Sequence, residues 1–289
     1  AEANEGAVKL LRKYGKAHRN GAYEIITMNN SFHGRTFGMM AATGQAAYQE
    51  NWMPLMPGFV NVDYDDIDAI KAATSDKTCA VMVEPVQGEG GVNVPDDGYL
   101  KQIQEWCNAN NLVFIVDEVQ TGMGRLGTMF GYQRYDVEPD AMTLAKALGS
   151  GAPLGAFLCK EDFSVLVPGD HGSTFGGNPL GAAIGRASLR VILDEKLSER
   201  SDELGTWFMG RLREIGSPHV EEVRGRGLMI GVVIKESSGT ARPFCEALQA
   251  KGILAKETHH QVIRFAPPLT IDQATLEDAL VDIEVVLRG

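Results

Sequence analysis

Long apolar runs are missing from this sequence. None approaches the roughly 20 residues that a membrane-spanning helix needs, so no membrane association is expected. The basic start and apolar core of a secretory leader are missing too. Basic tracts are also absent. Aspartate and glutamate total 38 against 27 lysines and arginines, a net charge of −11. That balance argues against nucleic acid or an anionic membrane as main partner. Cysteine is scarce, and Cys79, Cys107, Cys159 and Cys245 form no C-x-x-C. Such spacing disfavours a disulfide framework or a zinc site. It suits reduced thiols, and a cytoplasmic location is expected. The six histidines fall in no H-E-x-x-H or similar pattern, so no metal is expected.

What is present has a globular balance. The 289 residues are 44% hydrophobic and 22% charged, enough for a large core in one big domain or in a large and a small one. The opening "AEANE" carries no methionine, and Ala7, Val8, Leu10 and Leu11 read as the middle of a helix. The expectation is a chain cut inside an element.

Along the chain, "EIITM" is strand-like and runs into "NNSFHGRT". "TCAVMV" is a continuous apolar run of buried-strand type that stops at Glu84-Pro85 and "VQGEGG". "PDDGYLKQIQEWCNANN" has helical spacing, with acids at its start and asparagines at its end. Residues 112–116 form a second buried strand, which makes a βαβ unit with parallel neighbours. Ligands in such sheets gather at the carboxyl ends of the strands. "FHGRT", "EPVQGEGG" and "DEVQTG" all fall there. "AMTLAKA" then places Lys146 in apolar company before "LGSGAPLG". Residues 156–159 read as a further strand. Helices are expected over 180–193, 199–215, 243–251 and 272–287, and strands in "GLMIGVVI" and "VIRFAPP". The fold class is α/β. A large domain with a mostly parallel sheet spans 1–190, and a smaller C-terminal α+β domain spans 191–289.

Two side chains stand out. Asp117 ends a buried strand, where a carboxylate is costly unless a cation compensates it; a helix cap or structural ion pair is the plainer reading. Lys146 is flanked by Leu144, Ala145, Ala147 and Leu148. It is either a snorkelling surface lysine or a desolvated nucleophile. Together they fit pyridoxal 5′-phosphate. The lysine holds the aldehyde, and the carboxylate pairs with the pyridine nitrogen and strengthens the ring as an electron sink. "HGSTFGGN" supplies small donors for the phosphate.

The sequence resembles the class III (ω-) aminotransferases, of pyridoxal-phosphate fold type I. The resemblance spans essentially the whole chain. It is carried by "EANE", "SFHGRTFG", "MVEPVQGEGGV", "VPDDGYL", "VDEVQTGMGR", "PDAMTLAKALGSGAPLGA", "HGSTFGGNPLG", "VRGRGLMIGV" and "IRFAPPLTI". It implies that Lys146 binds the cofactor and later moves the proton, and that Asp117 pairs with the ring nitrogen. Phe32 and Val119 match the residues on the two ring faces, and Gln120 the glutamine near the ring hydroxyl. His33, Glu118 and the backbone of Ala1 are implied as further cofactor contacts. Thr174, with Ser173 beside it, matches a phosphate contact reached from the neighbouring subunit, which implies a homodimer with shared sites. Arg35, Glu89, Ser173 and Arg264 are implied on the substrate side. In the family, the counterpart of Glu89 neutralises that of Arg264 and swings away when a carboxylate arrives. The family's N-terminal segment ahead of "EANE" is not in this sequence.

Within the family, "HGSTFGGNPLG", "GILAKETHHQVIRFAPPLTI" and "VVIKE" are most similar to ornithine δ-aminotransferases. The implied reaction moves the terminal amino group of ornithine to 2-oxoglutarate, giving glutamate 5-semialdehyde and glutamate. "QGEGGV" and "TGMGRLGTMFGY" are as similar to acetylornithine aminotransferases, the alternative. Two readings of other classes remain. One is a dinucleotide site at Gly122, Gly124 and Gly127, a G-x-G-x-x-G that should follow a strand directly and open a helix. The other is an inactive fragment or a non-catalytic protein of the same fold, against which the intact Lys146, Asp117 and Arg264 argue.

Overall fold

The computed structural model describes residues 1–289, which form two compact units. The first comprises residues 1–85, 95–122 and 132–190. Its sheet contains β1 (Glu24–Met28), β2 (Phe59–Val62), β3 (Thr78–Val83), β4 (Val113–Asp117), β5 (Ala141–Leu144) and β6 (Ala156–Cys159). The spatial order is β2-β1-β3-β4-β5-β6. The first five strands run parallel, and β6 is antiparallel to β5.

The continuous apolar runs follow from burial on both sheet faces. Val81, Val83, Phe114 and Val116 point to one face, where Tyr99, Leu100 and Ile103 of helix Tyr99–Asn110 cover them. Ala80, Met82, Val113 and Ile115 point to the other, under Ala7, Val8 and Leu11 of helix Glu2–His18. The side-chain period of two sorts neighbouring residues onto opposite faces. The expected βαβ unit is present, with Val81 opposite Phe114 and Val83 opposite Val116 in a parallel pair. β2 and the helix Ile67–Ala73 behind it were not expected; Asp66 caps that helix, accepting from the Ala69 amide.

The second unit comprises residues 86–94, 123–131 and 191–289. Its sheet is antiparallel, with β7 (Val220–Arg226), β8 (Met229–Ile234), β9 (Lys256–Thr258) and β10 (Val262–Phe265) in the order β7-β8-β10-β9. Helices Leu197–Glu214, Ala241–Ala250 and Gln273–Arg288 contribute Phe208, Leu212, Leu248, Leu276 and Ile283 to one core with Ile230, Val232 and Ile263. A mostly parallel sheet in one unit and helices on an antiparallel sheet in the other match the expected fold class. Cys79, Cys107 and Cys245 are buried free thiols, and burial pushes the Cys79 thiol up to about 12.

Candidate active site

All five parallel strands present their carboxyl ends at one edge of the sheet. β1 leads there to Phe32, His33 and Arg35, β3 to Glu84, β4 to Asp117 and β5 to Lys146. Register fixes the neighbours: Asp117 lies opposite Thr143, three residues before Lys146.

Asp117 is buried, and its charge is fully engaged. Its Oδ2 lies 2.7 Å from His33 Nδ1 and accepts from Asn4 Nδ2 at 2.8 Å. Its Oδ1 accepts from the Val119 amide at 3.0 Å and from the Thr143 hydroxyl at 3.3 Å. Burial pushes the carboxyl up, but the His33 bond and charge, with the Val119 and Asn4 donors, outweigh it and hold it below the usual aspartate range. His33 shows the mirror effect. Burial lowers it, and the Asp117 bond and charge more than reverse that. The two shifts agree on an ion pair. His33 Nε2, also buried, has no partner.

Glu84 completes a buried charge cluster. Its Oε2 accepts from the Phe32 amide at 3.1 Å, and burial pushes its carboxyl up to about 7. His33 and Lys146 pull against that rise, while the Asp117 charge adds to it. Glu118 is buried and directed into its own loop. It accepts from the Thr121 hydroxyl at 2.5 Å and the Tyr132 amide at 2.8 Å. Val119 and Gln120 are half-buried. Phe32 packs edge-on to Tyr48 at 5.8 Å, and the Arg35 guanidinium lies 4.5 Å from the Tyr48 ring centre.

Of the two readings of Lys146, a surface lysine or a desolvated one, the structure shows the residue exposed. It begins a short 3₁₀ turn two residues past the end of β5, with φ 43°, a left-handed value uncommon for a side-chain-bearing residue. It borders a cleft of about 660 Å³ walled by Ala1, Ala3, Ala152, Pro153 and Gly155. The small walls leave room for a planar ligand, and Ala1 caps the amino end of a 17-residue helix, where backbone N–H groups favour an anion. Ser173 and Thr174 are exposed on the 171–178 loop.

The second unit holds another charged cluster. Arg264 Nη1 donates to Glu89 Oε1 at 2.7 Å, and Lys256 Nζ lies 2.9 Å from Glu89 Oε2. Burial pushes the Glu89 carboxyl up, but the bonds and charges of Arg264 and Lys256 outweigh it and hold it at about 2. The glycine run 122–127 forms turns, and no helix opens from it. The dinucleotide fingerprint therefore lacks its required context.

A family model described as "Aminotransferase class-III" matches residues 1–287. The chain belongs to the class III aminotransferases. It is similar to ornithine aminotransferase 2 of Staphylococcus aureus, 49% identical over 293 residues, covering 100% of this chain and 73% of the relative. It is similar in structure to a Toxoplasma gondii ornithine aminotransferase with partial occupancy of PLP at its active site. There the TM-score is 0.94 at 39% identity, covering 99% of this chain and 69% of the other. An acetylornithine aminotransferase from Elizabethkingia anophelis gives a TM-score of 0.83 at 37% identity, covering 99% and 71%. Class III aminotransferases use pyridoxal 5′-phosphate. The residues present here fit that group: a buried aspartate held below its usual range and a lysine beside a small-walled cleft that also borders the first turn of helix Glu2–His18.

Asn4, Glu84 and Tyr48 are members of the cluster that sequence reasoning missed. Asn4 had a signal, since it lies on the apolar stripe of its helix with Ala7, Val8 and Leu11. Glu84 had the same signal as Asp117, an acid at the end of a buried apolar strand.

Proposed function

We propose that this aminotransferase moves the terminal amino group of ornithine to 2-oxoglutarate, giving glutamate 5-semialdehyde and glutamate. The observation that carries the reading is the Glu89–Arg264 pair at 2.7 Å. An enzyme that takes the amine end of one substrate and the carboxylate end of the next needs an arginine that can be masked. Glu89 masks Arg264 for the diamine and releases it for the oxo acid.

Pyridoxal 5′-phosphate supplies the electron sink that makes the amine-bearing carbon acidic. Lys146 would hold the cofactor through its amine and would serve as the acid and base for the proton that is moved. Asp117 keeps its negative charge, fixed by His33, Asn4, Val119 and Thr143, and so favours a protonated ring nitrogen. Phe32 and Val119 would pack against the cofactor ring, and Gln120 would hydrogen-bond its hydroxyl. His33 and Glu118 act by holding the residues around them. The backbone of Ala1 offers the helix amino end to the phosphate. Arg35 grips the distal α-carboxylate of ornithine. Ser173 and Thr174 serve the site of a second copy, so the enzyme is a homodimer. The exposure of Phe175 at 81% and Leu180 at 71% supports such a contact. The enzyme is cytoplasmic in this reading.

The test is direct. Purified protein supplied with cofactor is assayed with ornithine and 2-oxoglutarate, trapping the semialdehyde with o-aminobenzaldehyde. Acetylornithine and 4-aminobutyrate serve as rival donors. Ornithine is expected to give the highest kcat/KM. A higher value for acetylornithine overturns the substrate assignment. Lys146→Ala is expected to abolish the visible band that appears on adding the cofactor; a protein with no such band overturns the cofactor role.

A further inference from the structure

The second unit contains a charge arrangement that masking alone does not require. β9 and β10 are antiparallel neighbours, and Lys256 lies directly opposite Arg264. Like charges facing each other across a strand pair are destabilising. Here both point to one carboxylate: Arg264 takes Oε1 of Glu89 and Lys256 takes Oε2. β9 is the edge strand of its sheet, and an edge lysine ordinarily turns to solvent to block pairing with other chains. Lys256 keeps its side chain 60% exposed but is tied to Glu89, whose side chain is 18% exposed.

The next residue on the same face of β9 is Thr258. Its hydroxyl donates to the backbone carbonyl of Glu89. Arg264 also reaches the neighbouring Gly88 carbonyl, at 3.4 Å. The Glu89 backbone is thus anchored independently of its carboxylate. The side chain can change partner while its main chain stays fixed.

We propose that Lys256 is a positioning residue for dual-substrate recognition: it retains the Glu89 carboxylate when Glu89 leaves Arg264, and so makes Arg264 available to the oxo acid's carboxylate. The proposal rests on the reading of Glu89 and Arg264 given above. Without Lys256, releasing Arg264 strands a carboxylate with no cation. With it, Glu89 exchanges a shared bond for an undivided one. Lys256 also competes with Arg264 for Glu89 in the masked state. Both effects favour unmasking, so they favour 2-oxoglutarate and do not help the diamine.

The experiment measures the KM of each substrate separately for wild type, Lys256→Gln and Lys256→Arg, with thermal melting of each. Removing an exposed partner of this kind is expected to raise the KM for 2-oxoglutarate about threefold to fivefold. The KM for ornithine stays level or falls, and Lys256→Arg restores the wild-type balance. In a Glu89→Gln background, Lys256→Gln is expected to do nothing further, because the lysine acts through that carboxylate. An unchanged KM for 2-oxoglutarate, or an equal rise in both KM values, overturns the role of Lys256. An effect that persists in the Glu89→Gln background overturns the route through Glu89. A wild-type enzyme that does not use ornithine, or a Glu89→Gln variant in which both KM values rise, removes the underlying reading as well.

Discussion

His33 and Asp117 form a buried ion pair, with Nδ1 and Oδ2 2.7 Å apart and both side chains no more than 3% exposed. Removing His33 leaves Asp117 charged and uncompensated, whereas removing Asp117 lets the buried imidazole shed its proton. His33→Leu strips Asp117 of its protein cation while Asn4, Val119 and Thr143 still hold it in place. The expected loss is about 3–5 kcal/mol, measured by urea unfolding without added cofactor. Asp117→Asn is expected to lose less, on the order of 1–3 kcal/mol, because a neutral histidine is tolerated where a lone carboxylate is not. Equal losses for the two variants sink the ion-pair description.

The pair also has a pH window. Asp117 is held below its ordinary 3.8, so its contribution is present above that value and is lost as pH falls through the lower folded value. His33 is raised above 6.5, so its contribution is complete below 6.5 and is lost as pH rises through the raised value.

Glu84 has the opposite sign to Asp117. Burial raises it from 4.5 to about 7, so the folded chain keeps a proton there that the unfolded chain has already lost. Stability from this group is complete below 4.5 and declines as pH rises towards 7 and beyond. Glu84→Gln keeps the shape and an acceptor for the Phe32 amide without the charge. The variant is expected to match wild type near pH 4 and to exceed it near pH 8 by on the order of 2–3 kcal/mol. Urea midpoints at the two pH values provide the measurement. A variant that loses as much stability as wild type between them shows that Glu84 is not the titrating group.

The buried sheet was legible because its strands are covered on both faces. "TCAVMV" and residues 112–116 are apolar throughout, and the intervening helix has a clear stripe. β2, β7 and β9 were not read. "FVNV" is short, "VEEVRGR" is mostly polar, and "KET" has no apolar residue at all. Their pairing is set by neighbouring strands, which a local pattern cannot register. At the site, Asp117 was read as a partner for a ring nitrogen or as one half of a structural ion pair, and a histidine stands beside its Oδ2. That it is His33, 84 residues earlier, depends on β1 and β4 both delivering their ends to one sheet edge. Between the two readings of Lys146, a surface lysine or a desolvated one, apolar sequence neighbours could not choose; the residue is exposed, in a left-handed turn that no local pattern reports.

Glu89 and Arg264 make a prediction about substrate balance. Both side chains are mostly buried, at 18% and 12% exposure, so the arginine has little water to replace a lost partner. Glu89→Gln leaves Arg264 permanently unmasked. The KM for ornithine is expected to rise roughly tenfold, about 1.4 kcal/mol, while the KM for 2-oxoglutarate falls. Steady-state titration of each substrate at saturating levels of the other separates the two effects. A rise in both values contradicts the masking role.

Helix Leu197–Glu214 offers a packing test within a single element. Gly205 faces the backbone of Gly227, and a Cβ at that position meets the Gly227 carbonyl oxygen at 2.0 Å. No flexible side chain is available to yield, so either the helix or the turn must shift. Gly205→Ala is expected to destabilise by roughly 1–3 kcal/mol despite the better helix propensity of alanine. Gly210, five residues along the same helix, has nothing within 4 Å of its would-be Cβ. Gly210→Ala is therefore expected to stabilise by about 0.5–1 kcal/mol. Thermal or urea unfolding of the two variants side by side isolates the close approach from the propensity. The opposite signs are the prediction, and a stabilising Gly205→Ala contradicts the packing of this helix against residue 227.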